Sequence, residues 1–262
     1  MARISLHFHY ENQDPAGAFV GVAALADPLG TDDGDDLIVP DLNQLVAVAF
    51  GVPSGANQRL RLDSPSLRVL GRWEAQEFNG GADADAEPDT PQKVHDMRRT
   101  PLAMIPTERI VVDADYNPTV AEAAWVAYWF ADGPVEPFTG GPIRTVRVTS
   151  AVDTVAGAWA NGAITFTDPL PPGRYAVVGA RFQSAGMVAV RFVFSDLANR
   201  PGVLGVDDEN DEQHPMFRLG GMGVLGEFES TRPPTIDMLS ISADTADILG
   251  VLDLVQVRAG PR

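Results

Sequence analysis

Acidic side chains are the most concentrated chemical groups in this chain, and they fall in three runs, at residues 32–36, 83–87 and 207–212. In the third run Asp208, Asn210 and Glu212 recur at every second position, so an extended backbone would bring their side chains to one side. Carboxylate and amide oxygens are ligands that Ca²⁺ takes in proteins, although none of the runs has the spacing of an EF-hand loop. These three residues are therefore candidate Ca²⁺ ligands, and a solvated acidic loop is the simpler interpretation.

Two of the four histidines, His7 and His9, lie in a segment that alternates between apolar and polar side chains. The alternation predicts a strand whose apolar residues face a core and whose histidines face solvent. Two imidazoles at this spacing can reach one metal ion. No carboxylate within residues 3–10 completes a ligand set, so exposed strand positions explain both histidines without a metal.

A serine-histidine-aspartate triad needs a serine held in a special turn beside a histidine. His95 precedes Asp96, and His214 follows an acidic run, but the Gly-x-Ser-x-Gly signature is absent because Ser184 lies two residues after Phe182. The sequence therefore assigns no catalytic residue.

A phosphate-binding loop and a metal-dependent active site find equally little support. The glycine-rich residues 220–226 do not lead into a predicted helix, whose N-terminus a phosphate cradle requires. A cupin needs clustered metal ligands, and four scattered histidines supply them poorly, while paired glycosidase carboxylates have no recognisable spacing. We expect a protein that is not an enzyme and has no cofactor other than the candidate Ca²⁺.

Composition narrows the possible partners. The chain has 262 residues and a net charge of −17. It has no cysteine, which excludes disulfides, thiolate catalysis and cysteine-zinc sites. Lys93 is the only lysine, and an acidic surface repels nucleic acid because phosphate binding needs clustered lysine and arginine. Residues 1–10 lack the apolar segment of a secretory signal, and no apolar run approaches the ~18 residues of a membrane span.

Strand patterns separated by glycine and proline dominate the chain and predict an all-β fold. In the second half three such runs, 163–167, 174–181 and 187–194, follow each other closely, and we expect neighbouring strands of this kind to pair as antiparallel hairpins. Residues 119–130 fit either a helix or a strand, since a capping pattern precedes aromatic residues at both spacings. In an otherwise β chain we interpret them as a strand.

The domain organisation depends on a weak internal repeat. Arg61 to Ser64 precedes Gly71-Arg72-Trp73 at the same spacing as Arg147 to Ser150 precedes Gly157-Ala158-Trp159. A duplication would make two antiparallel β-sandwiches. The long polar stretch between residues 79 and 107 then suggests a first sandwich over residues 1–105 and a second over residues 106–262.

The whole pattern resembles double jelly-roll major capsid proteins of tailless bacterial viruses: it is rich in strands, lacks cysteine and has a possible two-sandwich duplication. Residues 170–181, followed by 187–194 and 200–202, are similar to hairpin segments of phage virion proteins. The resemblance implies two eight-stranded jelly rolls, homotrimers and an icosahedral shell assembled in the host cytoplasm. It implies no catalytic residues. Partners would be copies of the chain, other virion proteins and an underlying membrane, without direct contact to nucleic acid.

Two features bear on this interpretation. The basic arm with which many capsid proteins contact a genome is absent, a departure that membrane-lined virions tolerate. Large apolar residues could form subunit contacts, although a core position is the simpler expectation for each of them: Phe192, Phe194, Met216, Phe217 and residues 125–130.

The alternative is a carbohydrate-binding or adhesin-like β-sandwich, as in a phage spike or fibre. In that interpretation an exposed Trp73 or Trp159 would stack on sugar rings, and an acidic loop would hold Ca²⁺.

Overall fold

The computed structural model describes residues 2–13, 18–51, 59–66, 76–79, 92–115, 122–206, 212–243 and 248–259. Strands are numbered along the chain as β1 (Ile4–Gln13), β2 (Val20–Gly21), β3 (Asp32–Asp33), β4 (Asp36–Ile38), β5 (Gln44–Gly51), β6 (Arg59–Asp63), β7 (Gln76–Asn79), β8 (Val94–Asp96), β9 (Leu102–Ala103), β10 (Arg109–Asp115), β11 (Glu122–Ala131), β12 (Arg144–Ser150), β13 (Ala160–Ala163), β14 (Thr165–Phe166), β15 (Gly173–Gln183), β16 (Met187–Val193), β17 (Gly202–Leu204), β18 (Gly226–Glu229), β19 (Thr235–Ser240) and β20 (Ile248–Ala259). A short 3₁₀ helix, Pro215–Phe217, precedes β18. Among the described residues, no helix is long and apolar enough to span a bilayer.

The chain forms two compact units. The first contains Ser5–Gly133, and the second contains Pro134–Arg262 together with Met1–Ile4. The boundary therefore lies after β11, whereas the polar stretch had suggested residue 105. Strand β11 belongs to the first unit because it lies between β1 and β5 in one sheet, and without it that sheet would be divided.

Two antiparallel sheets build the first unit. One has the order β1-β11-β5-β8, with β9 also paired to β5, and the other has the order β3-β4-β10-β6-β7, with β2 also paired to β10. A continuous apolar core includes residues of β5, β6, β10 and β11. The alternating burial of β6 and β10 shows that each presents one side to this core.

The second unit repeats this layout. Its sheets have the orders β14-β12-β20-β15-β18 and β13-β19-β16-β17. The eight principal strands of the first unit are β1, β4, β5, β6, β7, β8, β10 and β11, and those of the second are β12, β13 and β15 to β20. When each set is numbered in chain order, both units contain one sheet ordered 1-8-3-6 and one ordered 2-7-4-5. This is the strand order of a jelly roll, so the fold is all-β and antiparallel and contains two jelly rolls.

The jelly-roll order overturns the expectation that neighbouring strands in the second half pair as hairpins. Strand β15 pairs with β18 and β20, whereas β16 pairs with β17 and β19. The turn between β15 and β16 carries the chain from one sheet to the other. Gly186 occupies this turn at a φ of 63°, and a Cβ there would lie 2.6 Å from the Ser242 hydroxyl oxygen. Closeness in sequence predicted the turn but not the partner strand.

The internal repeat that the sequence suggested does not match equivalent strands. Residues 61–64 lie in and just after β6, the fourth principal strand of its unit, while residues 147–150 lie in β12, the first of its unit. Residues 71–73 lie outside the described residues. The repetition is one of topology, with β1 equivalent to β12 and β11 to β20.

The aromatic segment before residue 131 is a strand, as the sequence interpretation favoured; residues 119–121 lie outside the described residues. Trp125, Tyr128, Trp129 and Phe130 of β11 are each at most 1% exposed. Side chains on both sides of β11 are therefore buried. A central strand with apolar residues on both faces explains why helical and strand spacing could not be separated in the sequence.

Strand β1 contradicts the expectation of a solvent-facing side. His7 and His9 are 1% and 0% exposed, and Ser5 is buried as well. The alternation correctly predicted a strand but not its surroundings, because period two shows that side chains point to opposite faces and not that one face is wet.

Candidate functional site

The candidate Ca²⁺ ligands fall mainly outside the described part of the chain. Asp208 and Asn210 belong to residues 207–211, which the structure does not describe, and Glu212 is exposed. The next residue, Gln213, donates from its side-chain nitrogen to the carbonyl oxygens of Ala180 (3.0 Å) and Leu204 (3.2 Å). Among the described residues, no group of three histidine, aspartate or glutamate side chains is placed to hold a metal ion.

The two strand histidines lie in different surroundings rather than forming a common metal site. The Nδ1 atom of His7 is 3.1 Å from the Thr31 hydroxyl and 3.5 Å from the Asp27 carboxylate. The ring of His9 instead packs edge-on against Tyr128, with 5.5 Å between ring centroids. His7 is therefore held by polar groups, whereas His9 packs against an aromatic ring.

Burial dominates the chemistry of His9. It lowers the pKa of His9 from the ordinary value of 6.5 to about 4, against opposing effects from the backbone of Asp35 and Ile110 and the carboxylate of Asp36. Neither ring nitrogen makes a hydrogen bond of normal geometry to a described residue, and the same holds for the Tyr128 hydroxyl. Burial also raises the pKa of Tyr128 well above its ordinary value. Both rings are neutral at physiological pH and act as part of the core.

The remaining histidines have structural contacts that differ from a catalytic arrangement. His95 stacks on Phe50 at 5.8 Å, and burial lowers its pKa. The neighbouring Asp96 accepts hydrogen bonds from the backbone and guanidinium group of Arg98. His214 caps the 3₁₀ helix by accepting a hydrogen bond from the Met216 N–H.

Ser184 does not take part in a triad with any of them. Its residue is 6% exposed, and its hydroxyl makes no hydrogen bond to a described residue. The described histidines, carboxylates and Ser184 thus do not form a serine-histidine-aspartate triad.

The glycine-rich residues 220–226 form a packed connection that leads into β18. Gly220 and Gly223 have φ values of 86° and 73°. A Cβ at Gly220 would lie 2.8 Å from the Cβ of Phe138, and one at Gly221 would lie 2.5 Å from the Met216 carbonyl oxygen. Close packing against the rest of the unit requires these glycines, and a strand rather than a helix follows them.

An ionic row with the buried Arg191–Asp237 pair at its centre crosses the β13-β19-β16-β17 sheet, and nothing in the sequence analysis predicted it. Arg191 on β16 pairs in register with Asp237 on β19, which pairs in register with Asn161 on β13. Arg191 Nε donates to Asp237 Oδ2 at 3.0 Å, Asn161 donates to the same carboxylate at 2.7 Å, and Arg200 also contacts it. A charged residue inside the apolar run of β16 was the available signal.

Trp159, one of the two tryptophans of the sugar-binding alternative, is not a free platform. The guanidinium carbon of Arg191 lies 4.0 Å from the ring centroid of Trp159, so this half-buried ring contacts the ionic row. Trp73 lies outside the described residues. The described ring therefore covers a buried cation on one face.

The apolar residues considered for subunit contacts lie in the core. Phe192, Phe194, Met216 and Phe217 are buried, as are residues 125–130. Other large apolar side chains are exposed in both units: Val20, Ile105 and Val111 in the first, and Val155, Leu219, Leu249 and Val257 in the second. These residues, rather than the sequence candidates, are available for contacts with another molecule.

Comparison with known proteins identifies no family. No protein-family model and no curated protein matches the chain. Among solved structures the chain is similar to the major capsid protein P2 from Bacteriophage PM2, with 10% sequence identity and a TM-score of 0.28 over 100% of this chain and 99% of that protein.

Proposed function

We propose that this chain is a structural virion protein, a major capsid protein that associates with copies of itself as trimers in an icosahedral shell. The observation that supports this proposal is the occurrence of the jelly-roll strand order twice in one chain. Jelly rolls are common in viral coats, and they also occur in lectins and cupins. Two consecutive jelly rolls supply two rigid sandwiches in a single subunit, which suits a protein whose task is to cover area.

The chemistry of the described residues fits a structural role. The candidate catalytic groups lie apart or are engaged in packing, and the buried charges form internal pairs such as Arg191–Asp237. We propose that the protein is not an enzyme. We also propose that it lies in the virion, assembles in the host cytoplasm and contacts other virion proteins or a membrane. The net charge of −17 agrees with a coat that does not bind the genome, because phosphate binding needs clustered basic residues.

Closed shells require each subunit to bury surface against its neighbours through repeated contacts. In the second unit Val257 is 52% exposed on β20, and Val155 is 55% exposed. In the first unit Ile105 is 56% exposed. We propose that such apolar residues contribute to contacts between copies of the chain.

The test is the mass of the purified protein by light scattering across concentration and salt, with negative-stain images of the same sample. The expected result is a species of three times 28.0 kDa, or closed shells. A strict monomer under every condition would contradict the proposal. Specific stabilisation of such a monomer by neutral sugars would instead support the carbohydrate-binding alternative.

A further inference from the structure

One face of the β14-β12-β20-β15-β18 sheet carries a concavity of about 630 Å³. Strand register builds it from three neighbouring strands. Val251 on β20 pairs with Arg147 on β12 and with Arg181 on β15. Two residues earlier on β20, Leu249 pairs with Thr149 on β12 and with Gln183 on β15. The result is two parallel rows of polar side chains with apolar residues between them.

The charge of this concavity is opposite to that of the chain. Three arginines line it, namely Arg147, Arg181 and Arg218, and the described residues that line it include no aspartate or glutamate. Within the described part of the chain, the Arg147 guanidinium group has no carboxylate partner. Several arginines elsewhere face carboxylates, as Arg109 faces Asp33 and Asp36. In a chain of net charge −17, three arginines in one lining, one of them paired with the buried Asp253, are a local concentration of positive charge.

Arg218 is held in place from beneath by Asp253, which is 0% exposed. Its Nε and Nη2 atoms donate to the two carboxylate oxygens at 2.8 and 3.0 Å. The Thr145 hydroxyl donates to the same carboxylate at 2.7 Å, and the Leu219 N–H does so at 2.8 Å. Burial alone would raise the pKa of Asp253, but these donors lower it below its ordinary value.

Gly179 explains why the Arg218 segment can lie this close to the sheet. A Cβ at this position would lie 2.6 Å from Asp253 Oδ2 and 2.8 Å from the Leu219 backbone nitrogen. Since only glycine leaves room there, the arginine is positioned by the fold before any ligand arrives. A preorganised donor loses less conformational freedom on binding than a flexible one.

We propose that this concavity binds a small ligand that carries a carboxylate, sulfate or phosphate group. The planar guanidinium fork matches such oxyanions with paired hydrogen bonds. Hydroxyls of Thr149 and Thr167 and the amide of Gln183 add neutral hydrogen-bonding groups, while Leu249 and Val251 offer apolar contact. The volume lies within the roughly 300–1,000 Å³ of small-ligand sites. This inference does not depend on the proposed capsid function.

The experiment is a titration of the full chain with sodium sulfate, sodium phosphate and sodium glucuronate, followed by calorimetry and by thermal melting at ionic strength matched with sodium chloride. We expect saturable binding of one anion per chain and a rise in the melting midpoint. Binding of all three anions identifies a site for the free oxyanion. Binding of glucuronate alone identifies an acidic sugar, whose ring would use the apolar residues.

Variants connect the binding to these arginines. Arg147→Gln, alone and with Arg181→Gln, should weaken binding by about tenfold or more, because each removes charge-assisted hydrogen bonds. The matched control is Arg258→Gln, which removes one positive charge from a side chain that is 73% exposed on the same sheet but does not line the concavity. Unliganded melting of each variant verifies its fold.

Two results would overturn the proposal. One is the absence of saturable binding to any of the three anions in the wild-type chain. The other is an anion response that is equal in wild type, the Arg147 variants and the Arg258 control, which would identify general screening of charge.

Discussion

At the scale of single residues, burial rather than residue type decides what the histidines do. His9 has the chemistry of a metal ligand or a proton carrier, yet it lies in the core with its ring against Tyr128. Its surroundings favour the neutral ring so strongly that the pKa falls to about 4. A histidine of this kind links the stability of the first unit to pH.

The predicted pH dependence has a definite sign. Because the pKa of His9 is about 4 in the folded chain and 6.5 ordinarily, the unfolded chain binds the proton first as pH falls. The contribution of neutral His9 to the free energy of unfolding is complete above pH 6.5. It is lost as the pH falls from there to 4, where the total loss is about 3 kcal/mol. Urea denaturation at a series of pH values in this window measures it.

A variant isolates the contribution of this ring. His9→Phe keeps an aromatic ring but cannot be protonated, so it should reduce the pH dependence of the urea midpoint within the window and leave the part that comes from His95, whose pKa burial also lowers. His214→Gln, in the second unit, is the control and should keep the wild-type dependence. If His9→Phe and wild type lose stability in parallel, the assignment to His9 is wrong.

At the scale of elements, strand register brings together charges that are far apart in the chain. Arg191 and Asp237 meet because β16 and β19 pair in that register, and Arg191 is 0% exposed. An ion pair that is fully buried is sensitive to the loss of one partner, since the remaining charge keeps its desolvation penalty. The row therefore makes the β13-β19-β16-β17 sheet specific for one register.

We predict that Asp237→Asn lowers the free energy of unfolding by about 3 kcal/mol, because it removes the carboxylate that faces two guanidinium groups. Chemical denaturation followed by circular dichroism measures the change. The control is Asp33→Asn, which removes a carboxylate from the exposed pair with Arg109 and should leave the midpoint unchanged. Equal effects of the two substitutions would show that the buried row does not stabilise the sheet.

At the scale of the whole molecule, two jelly rolls in one chain suit assembly into a shell. The acidic runs affect the contacts between copies of the chain, because their charges repel each other. We propose that Ca²⁺ is held at Asp208, Asn210 and Glu212 between subunits. A divalent cation would offset the repulsion between chains of net charge −17 and would supply contacts that acidic loops cannot make with each other.

A chelator should then lower the thermal midpoint of the assembled protein, and added Ca²⁺ should restore it. The double variant Asp208→Asn with Glu212→Gln should no longer respond, whereas Asp168→Asn, an exposed carboxylate elsewhere, should respond like wild type. If the thermal midpoint of the wild-type protein is the same with and without chelator, Ca²⁺ does not hold the subunits together.

Much of the fold class was predictable from local patterns. Alternation in residues 4–10, the apolar runs of β15 and β16 and the frequent glycine and proline all indicated strands, because side-chain period and turn chemistry are properties of neighbouring residues. The absence of cysteine and the acidic charge are likewise properties of composition alone. Local patterns and composition thus specify an all-β chain without thiol chemistry.

The pairing of the strands and the surfaces that stay exposed became known only from the folded chain. Nothing local in β15 indicates that its partner is β20, so the sequence could not show that Arg147 and Arg181 lie on either side of Val251. Nor could it show that β1 is buried on both faces, since burial depends on what packs against a strand and not on the period within it. The candidate anion site and the core histidines are consequences of pairing between distant segments, which residue order specifies only through the folded whole.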